Sequence, residues 1–105
     1  MKVYLDDIRE APNGWVRTHS KEETIDLLKT GQVTDLSLDH DLGIESEVGT
    51  GYDVLDWIEK QVAYNGFKPP REMDSHSANP AAVLRMNQAI ETIRRLASEK
   101  GLTIG

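Results

Sequence analysis

Short hydrophobic runs alternate along the chain with longer stretches that have helical spacing. The runs at residues 2–5, 15–18 and 33–39 predict strands, the second of them weakly, and a fourth strand is expected over residues 71–76. The fourth is short and polar, and Asp74 is an unusual residue for a central strand. Each run is followed by polar or turn-forming residues, which indicates where the strand ends.

Three stretches between these strands predict helices. Ser20 and Glu23 have the capping-box spacing that starts a helix, and Gly31 follows its predicted end. A longer helix is predicted over residues 52–64, and the last over residues 80–100, where apolar side chains recur every three or four positions. The order β(β)αβαβα(β) is typical of an α/β layered domain with a mostly parallel sheet of about four to five strands.

Composition narrows the classes of protein that the chain can represent. Its 105 residues suit a single domain over residues 1–105, and contents of 38% hydrophobic and 29% charged residues are typical of a globular protein. The net charge of −6 disfavours binding to bulk nucleic acid but not to a small phosphorylated ligand held by a metal. Cysteine is absent, which excludes thiolate sites. Without a membrane-length apolar run or a signal peptide, we expect a cytoplasmic location and no membrane partner.

Ionisable side chains follow three of the predicted strands at the point where each strand ends. Because the carboxyl ends of parallel strands share one edge of a sheet, and ligands bind in the crevice there, these side chains are expected to converge. The three segments are Asp6-Asp7, Asp39-His40-Asp41 and His76-Ser77-Ala78-Asn79.

Clustered carboxylates repel one another, so such a site favours a bound cation. Oxygen ligands favour Mg²⁺, whereas neighbouring histidines would also suit Mn²⁺, Zn²⁺ or Fe²⁺. The candidate metal ligands are Asp6, Asp7, Asp39 and Asp41. Backbone N–H groups near Ala81 and Ala82, at the start of the last predicted helix, suit an anion such as phosphate.

Structural roles compete with these functional ones. Asn79 also has the position of an N-cap, Ser77 could support the same turn, and His76 could lie under the last helix. Neighbouring side chains on a strand point to opposite faces, so His40 would face away from Asp39 and Asp41. Common hydrolase and nucleotide-binding motifs are absent from the sequence, and both a histidine base and direct phosphorylation of Asp39 stay open.

The order of elements and the strand-end acids resemble those of a response-regulator receiver domain. In that family an acidic pair after the first strand and an aspartate after the third bind Mg²⁺ and accept a phosphoryl group. Asp6-Asp7, Asp39 and Ser77-Ala78 match those positions. The resemblance implies a small flavodoxin-like, three-layer fold. Its first helix is replaced here by the turn Pro12-Asn13-Gly14, its phosphate-binding lysine is not evident, and the chain stops where its last helix should begin. We therefore expect the first and last helices to be reduced or missing.

A closer resemblance is to the receiver-like family named for cyclic-phosphate processing. The segments that match it are Leu5-Asp6-Asp7 with Arg9 and Pro12, Leu36 to Gly43, Gly49 to Asp53, Pro69-Pro70 and His76 to Pro80. This resemblance implies that His40 and His76 act with Asp39 as catalytic residues, while Ser77 and Asn79 bind phosphate.

The implied activity is metal-dependent hydrolysis of a cyclic phosphate ester, such as a nucleotide or an RNA 2′,3′-cyclic end. Two alternatives stay open. One is a receiver that accepts a phosphoryl group at Asp39 and regulates a protein partner. The other is a module that binds a phosphate or cyclic nucleotide without catalysis.

Overall fold

A parallel four-stranded sheet forms the centre of the molecule. The computed structural model describes residues 1–6, 9–39, 51–76 and 80–102. The sheet order is β2-β1-β3-β4, and all neighbouring strands are parallel. The strands are β1 (Lys2–Leu5), β2 (Trp15–Thr18), β3 (Asp35–Leu38) and β4 (Glu72–Ser75). All four were predicted from the sequence, although β3 and β4 are shorter than expected.

Three helices lie in the described residues: α1 (Lys21–Leu28), α2 (Gly51–Asn65) and α3 (Pro80–Glu99). Ser20 Oγ accepts a hydrogen bond from the backbone N–H of Glu23 at 3.2 Å, which confirms the predicted cap of α1. Gly31, Gly66 and Gly101 follow the three helices with φ values of 73°, 64° and 69°. Glycine adopts this left-handed conformation without the penalty of a Cβ, which is why each helix can stop there.

All three helices pack on the same face of the sheet. The two crossovers, from β2 to β3 and from β3 to β4, run in the same direction across the sheet, and right-handed crossovers then place α1 and α2 on one side. That face contributes Val3, Leu5, Leu36, Leu38 and Met73 to the hydrophobic core. The helices contribute buried side chains that include Leu28, Val54, Leu55, Ile58, Val62, Met86, Ile90 and Ile93.

The opposite face of the sheet carries Lys2, Tyr4, Ser37 and Asp74, which alternate with the core side chains. No helix of the described residues packs on this face. A receiver-like fold would cover it with the first and last helices, and these are the helices that the sequence predicted to be reduced or missing. Asp74 is exposed on this open face, which explains how a polar residue is tolerated in β4.

The fold class is thus confirmed as α/β and receiver-like, and the described part of the chain forms the sheet and one helical layer. The last strand of the order predicted from the sequence, shown there in parentheses, corresponds to residues 102–104. Leu102, the one residue of that range that the structure describes, donates its backbone N–H to the carbonyl oxygen of Ala97 at 2.8 Å. Within the ranges described, none of the helices has both the length and the apolar character needed to cross a membrane.

Candidate functional site at the carboxyl edge of the sheet

Three of the predicted site residues lie side by side where β1, β3 and β4 end. Asp6, Asp39 and His76 each follow their strand directly, and each donates its backbone N–H to a carbonyl on a neighbouring strand, at 3.1, 3.0 and 2.9 Å. The strand pairing therefore continues by one residue. The pairing keeps the three residues in register, so they lie next to one another along the edge of the sheet. Neighbouring parallel strands are about 4.8 Å apart.

The carboxylate of Asp6 is almost completely buried, with 1% of its side chain exposed. Its Oδ1 accepts the backbone N–H of Arg9 at 2.8 Å, and its Oδ2 lies 3.1 Å from Nε2 of His76. Arg17 Nε also donates to the main-chain oxygen of Asp6 at 3.0 Å. A buried carboxylate requires donors such as the N–H of Arg9 and Nε2 of His76, because burial removes its hydration. Asp6 is therefore held in a fixed orientation.

The imidazole of His76 is hydrogen-bonded at both nitrogens. Nδ1 lies 2.6 Å from Ser37 Oγ, while Nε2 faces Asp6. The ring also stacks on Tyr4, with centroids 4.1 Å apart and planes within 6° of parallel. An ionised carboxylate can only accept, so Nε2 is the nitrogen that carries hydrogen and donates to Asp6. In the neutral ring, Nδ1 then accepts from the hydroxyl of Ser37.

Burial lowers the pKa of His76 below its usual value of 6.5. The hydrogen bond and negative charge of Asp6 act in the opposite direction, as does the charge of Asp39, while the charge of Arg9 lowers the pKa further. Burial is the largest of these effects, so the neutral ring is favoured.

We expect the metal-free protein to lose stability as the pH falls below 6.5, the usual histidine pKa. Between this value and the lower pKa of folded His76, the unfolded chain binds more protons than the folded one, so the free energy of unfolding decreases with decreasing pH. Urea unfolding at several pH values would measure this slope. The slope should be smaller in His76→Gln but unchanged in His19→Gln, which alters an exposed histidine. Equal slopes in both variants would contradict the prediction.

The structure thus brings Asp6, Asp39 and His76 together, as the strand-end pattern predicted. The other predicted site residues lie outside the described residues, and their roles stay predictions. They are Asp7, His40, Asp41, Ser77 and Asn79.

The donor chemistry of this edge fits a hard divalent cation. Among residues that the structure describes, no three His, Asp or Glu side chains form a metal-binding group. Mg²⁺, however, commonly uses only one or two carboxylates together with water and phosphate oxygens. Asp6 and Asp39 would supply these two carboxylates, and Asp7 and Asp41 are the further predicted ligands.

Two residues that contact the imidazole of His76 were missed in the sequence. The sequence pattern places Ser37 and Tyr4 only within their strands. A signal was available, since Ser37 is a polar residue between Leu36 and Leu38 and therefore faces away from the core. What could not be seen was its register opposite Tyr4, which places both beneath the histidine.

A parallel sheet with acidic residues directly after its first and third strands defines a receiver-like domain. The family model described as the cyclic-phosphate processing receiver domain matches residues 1–92, and the chain belongs to that family. Comparison with curated proteins and with solved structures gave no significant match.

Proposed function

We propose that this domain is a metal-dependent phosphoesterase that hydrolyses a cyclic phosphate ester, such as a nucleotide or an RNA 2′,3′-cyclic end. The observation that supports it is the junction of Asp6, Asp39 and His76 at the carboxyl edge of the sheet. Membership of a family associated with cyclic-phosphate processing supports the same reaction. Because clefts at this edge are the usual ligand sites of parallel sheets, the location is also appropriate.

In this proposal Asp6 and Asp39 hold the cation, with Asp7 and Asp41 as further ligands. Mg²⁺ is the first choice, and Mn²⁺ or Zn²⁺ are alternatives. A cation bound there neutralises charge on the phosphate and lowers the pKa of bound water.

The phosphate itself would be held by Ser77 and Asn79. The amino end of α3 follows these residues and favours an anion through its helix dipole. His40 and His76 would position water and manage the proton of the leaving oxygen. The reaction then needs one water molecule, which opens the cyclic ester to a monoester.

A cavity of about 370 Å³ on the open face of the sheet gives room for the rest of a nucleotide. Tyr4 lines it and also stacks on His76, so the cavity adjoins His76. Trp15 and Pro12 add apolar surface suited to a planar base. Three carboxylates could accept hydrogen bonds from base amino groups, and they would repel phosphate towards the sheet edge: Asp35, Glu72 and Asp74.

The test is turnover of a panel of 2′,3′-cyclic and 3′,5′-cyclic nucleotides with Mg²⁺, Mn²⁺ or Zn²⁺, followed by chromatography of the products. We expect hydrolysis that depends on the added cation and stops with EDTA. Asp26→Asn serves as a control, because this acid is exposed on α1 and does not lie at the carboxyl edge of the sheet. Absence of turnover with every metal and every cyclic phosphate would contradict the proposal.

The position of Asp39, directly after β3, favours one second candidate, a receiver that is phosphorylated on this residue. That alternative predicts a mass gain of one phosphoryl group with a small phosphodonor, or a beryllofluoride complex, and loss of both in Asp39→Asn. Tight calorimetric binding of a cyclic nucleotide without turnover would instead favour a non-catalytic binding module.

A further inference from the structure

A continuous chain of hydrogen bonds crosses three strands of the sheet. It runs from Ser37, in β3, to His76, after β4, and ends on Asp6, after β1. Ser37 is 9% exposed and Asp6 is 1% exposed, so this chain is largely shielded from water. Short hydrogen bonds in such surroundings hold their groups more firmly than the same contacts at a surface.

We propose that Ser37 is a positioning residue, which orients His76 so that this histidine acts on the cation through Asp6 and does not bind the cation itself. The inference rests on the proposed function for its cation. It assigns a role to a serine that the strand-end pattern did not include.

The contacts of the imidazole support this assignment. Each ring nitrogen already has a protein partner, at 2.6 Å for Nδ1 and 3.1 Å for Nε2. A metal ion could take either nitrogen only if one of these hydrogen bonds were broken. A histidine that donates to a metal-binding carboxylate instead fixes the direction of that carboxylate, which is a common arrangement around metal sites.

Ser37 and Asp6 together define which way the ring faces, because each binds one of its two nitrogens. The stack on Tyr4 restricts tilting of the imidazole. It does not prevent a 180° rotation of the ring about the Cβ–Cγ bond, because the rotated ring lies in the same plane. That rotation would exchange the ring edges and remove Nε2 from Asp6. The hydroxyl of Ser37 bonds Nδ1 and so selects one of the two orientations.

The experiment compares the complete chain with Ser37→Ala, Ser37→Thr and Ser75→Ala. Ser75 is a matched control because it precedes His76, yet its hydroxyl bonds Asn87 and not the imidazole. Calorimetry with Mn²⁺ alone measures cation affinity. Nitrogen-15 NMR of the histidine rings, without metal and with diamagnetic Zn²⁺, reports which nitrogen of His76 carries hydrogen and whether it binds the metal.

We expect the ring of wild-type His76 to carry its hydrogen on Nε2, with and without Zn²⁺. Ser37→Ala should show a mixture of ring states and bind Mn²⁺ more weakly, by at most about 10- to 100-fold, which is what loss of a ligand's own hydrogen-bond partner costs. Ser37→Thr keeps the hydroxyl and should recover most of both properties, while Ser75→Ala should match the wild type.

Two results would overturn the inference: an unchanged ring and unchanged Mn²⁺ affinity in Ser37→Ala, or direct binding of Zn²⁺ by His76. If the wild-type chain binds no Mn²⁺, the cation of the proposed function is wrong. The ring spectra of Ser37→Ala and Ser37→Thr would still show whether Ser37 orients His76. The two failures are therefore distinguishable.

Discussion

Replacement of Asp6 by asparagine is expected to weaken cation binding and to lower turnover of a cyclic phosphate by about 10²- to 10³-fold, the usual cost of removing one preorganised electrostatic group from an active site. The variant has nearly the same shape but no negative charge. Its amide would also face two donors, the backbone N–H of Arg9 and Nε2 of His76. One amide oxygen cannot satisfy both, because the amide nitrogen is itself a donor.

The same conflict should reduce the free energy of unfolding of Asp6→Asn by about 1–3 kcal/mol, the cost of leaving a buried donor without an acceptor. Mn²⁺ titration, nucleotide turnover and urea unfolding would measure the three effects. Asp26→Asn, which changes an exposed acid of α1, should leave all three unchanged. Wild-type Mn²⁺ affinity in Asp6→Asn would contradict a role of Asp6 in cation binding.

Gly51→Ala is expected to destabilise the fold and to disturb the site at the same time. A Cβ on Gly51 would overlap the carbonyl oxygen of Asp39 and lie 3.0 Å from Cε of Met86. Met86 could move, since its side chain is flexible, but the backbone of Asp39 is held to β1 by its own N–H. Relief of the overlap therefore requires α2 to move away from the carboxyl end of β3.

We expect a loss of about 1–3 kcal/mol in the free energy of unfolding of Gly51→Ala, as for other overpacked cores. The sign is informative, because alanine in place of glycine in a helix is stabilising where no atom obstructs the Cβ, by up to about 1 kcal/mol in a helix interior. Ser98→Ala, at an exposed position of α3, is the control and should be close to neutral or slightly stabilising. A higher free energy of unfolding in Gly51→Ala than in the wild type would contradict the close contact between the start of α2 and the backbone of Asp39.

Local pattern in the sequence was sufficient for the helices and strands. The cap at Ser20 and the glycines after the helices set the bounds of α1, α2 and α3 to within about a residue, because caps and glycine turns act through neighbouring residues. The acids after β1 and β3 were visible for the same reason. Parallel strands bring their carboxyl ends to one edge, so Asp6, Asp39 and His76 could be expected to meet.

The sequence also predicted that the first receiver helix is reduced or missing, since the turn at Pro12-Asn13-Gly14 takes its place. The sequence did not show which face of the sheet stays uncovered as a result. Only the sheet order, with the same-handed crossovers, reveals that the three described helices share one face and leave the other open. The cavity beside Tyr4 and the tolerance of Asp74 in β4 both follow from this.

By itself, the sequence determined the α/β class, the element order and the acidic edge. The tertiary structure alone decided how His76 is used. Ser37 lies 39 residues from His76, and Asp6 lies 70 residues from it, so no local pattern links them. Their contact depends on the register of β1, β3 and β4, which fixes the level of each side chain on the sheet. Because of that register, His76, which follows a short polar strand, forms hydrogen bonds with both the buried Ser37 and the buried Asp6.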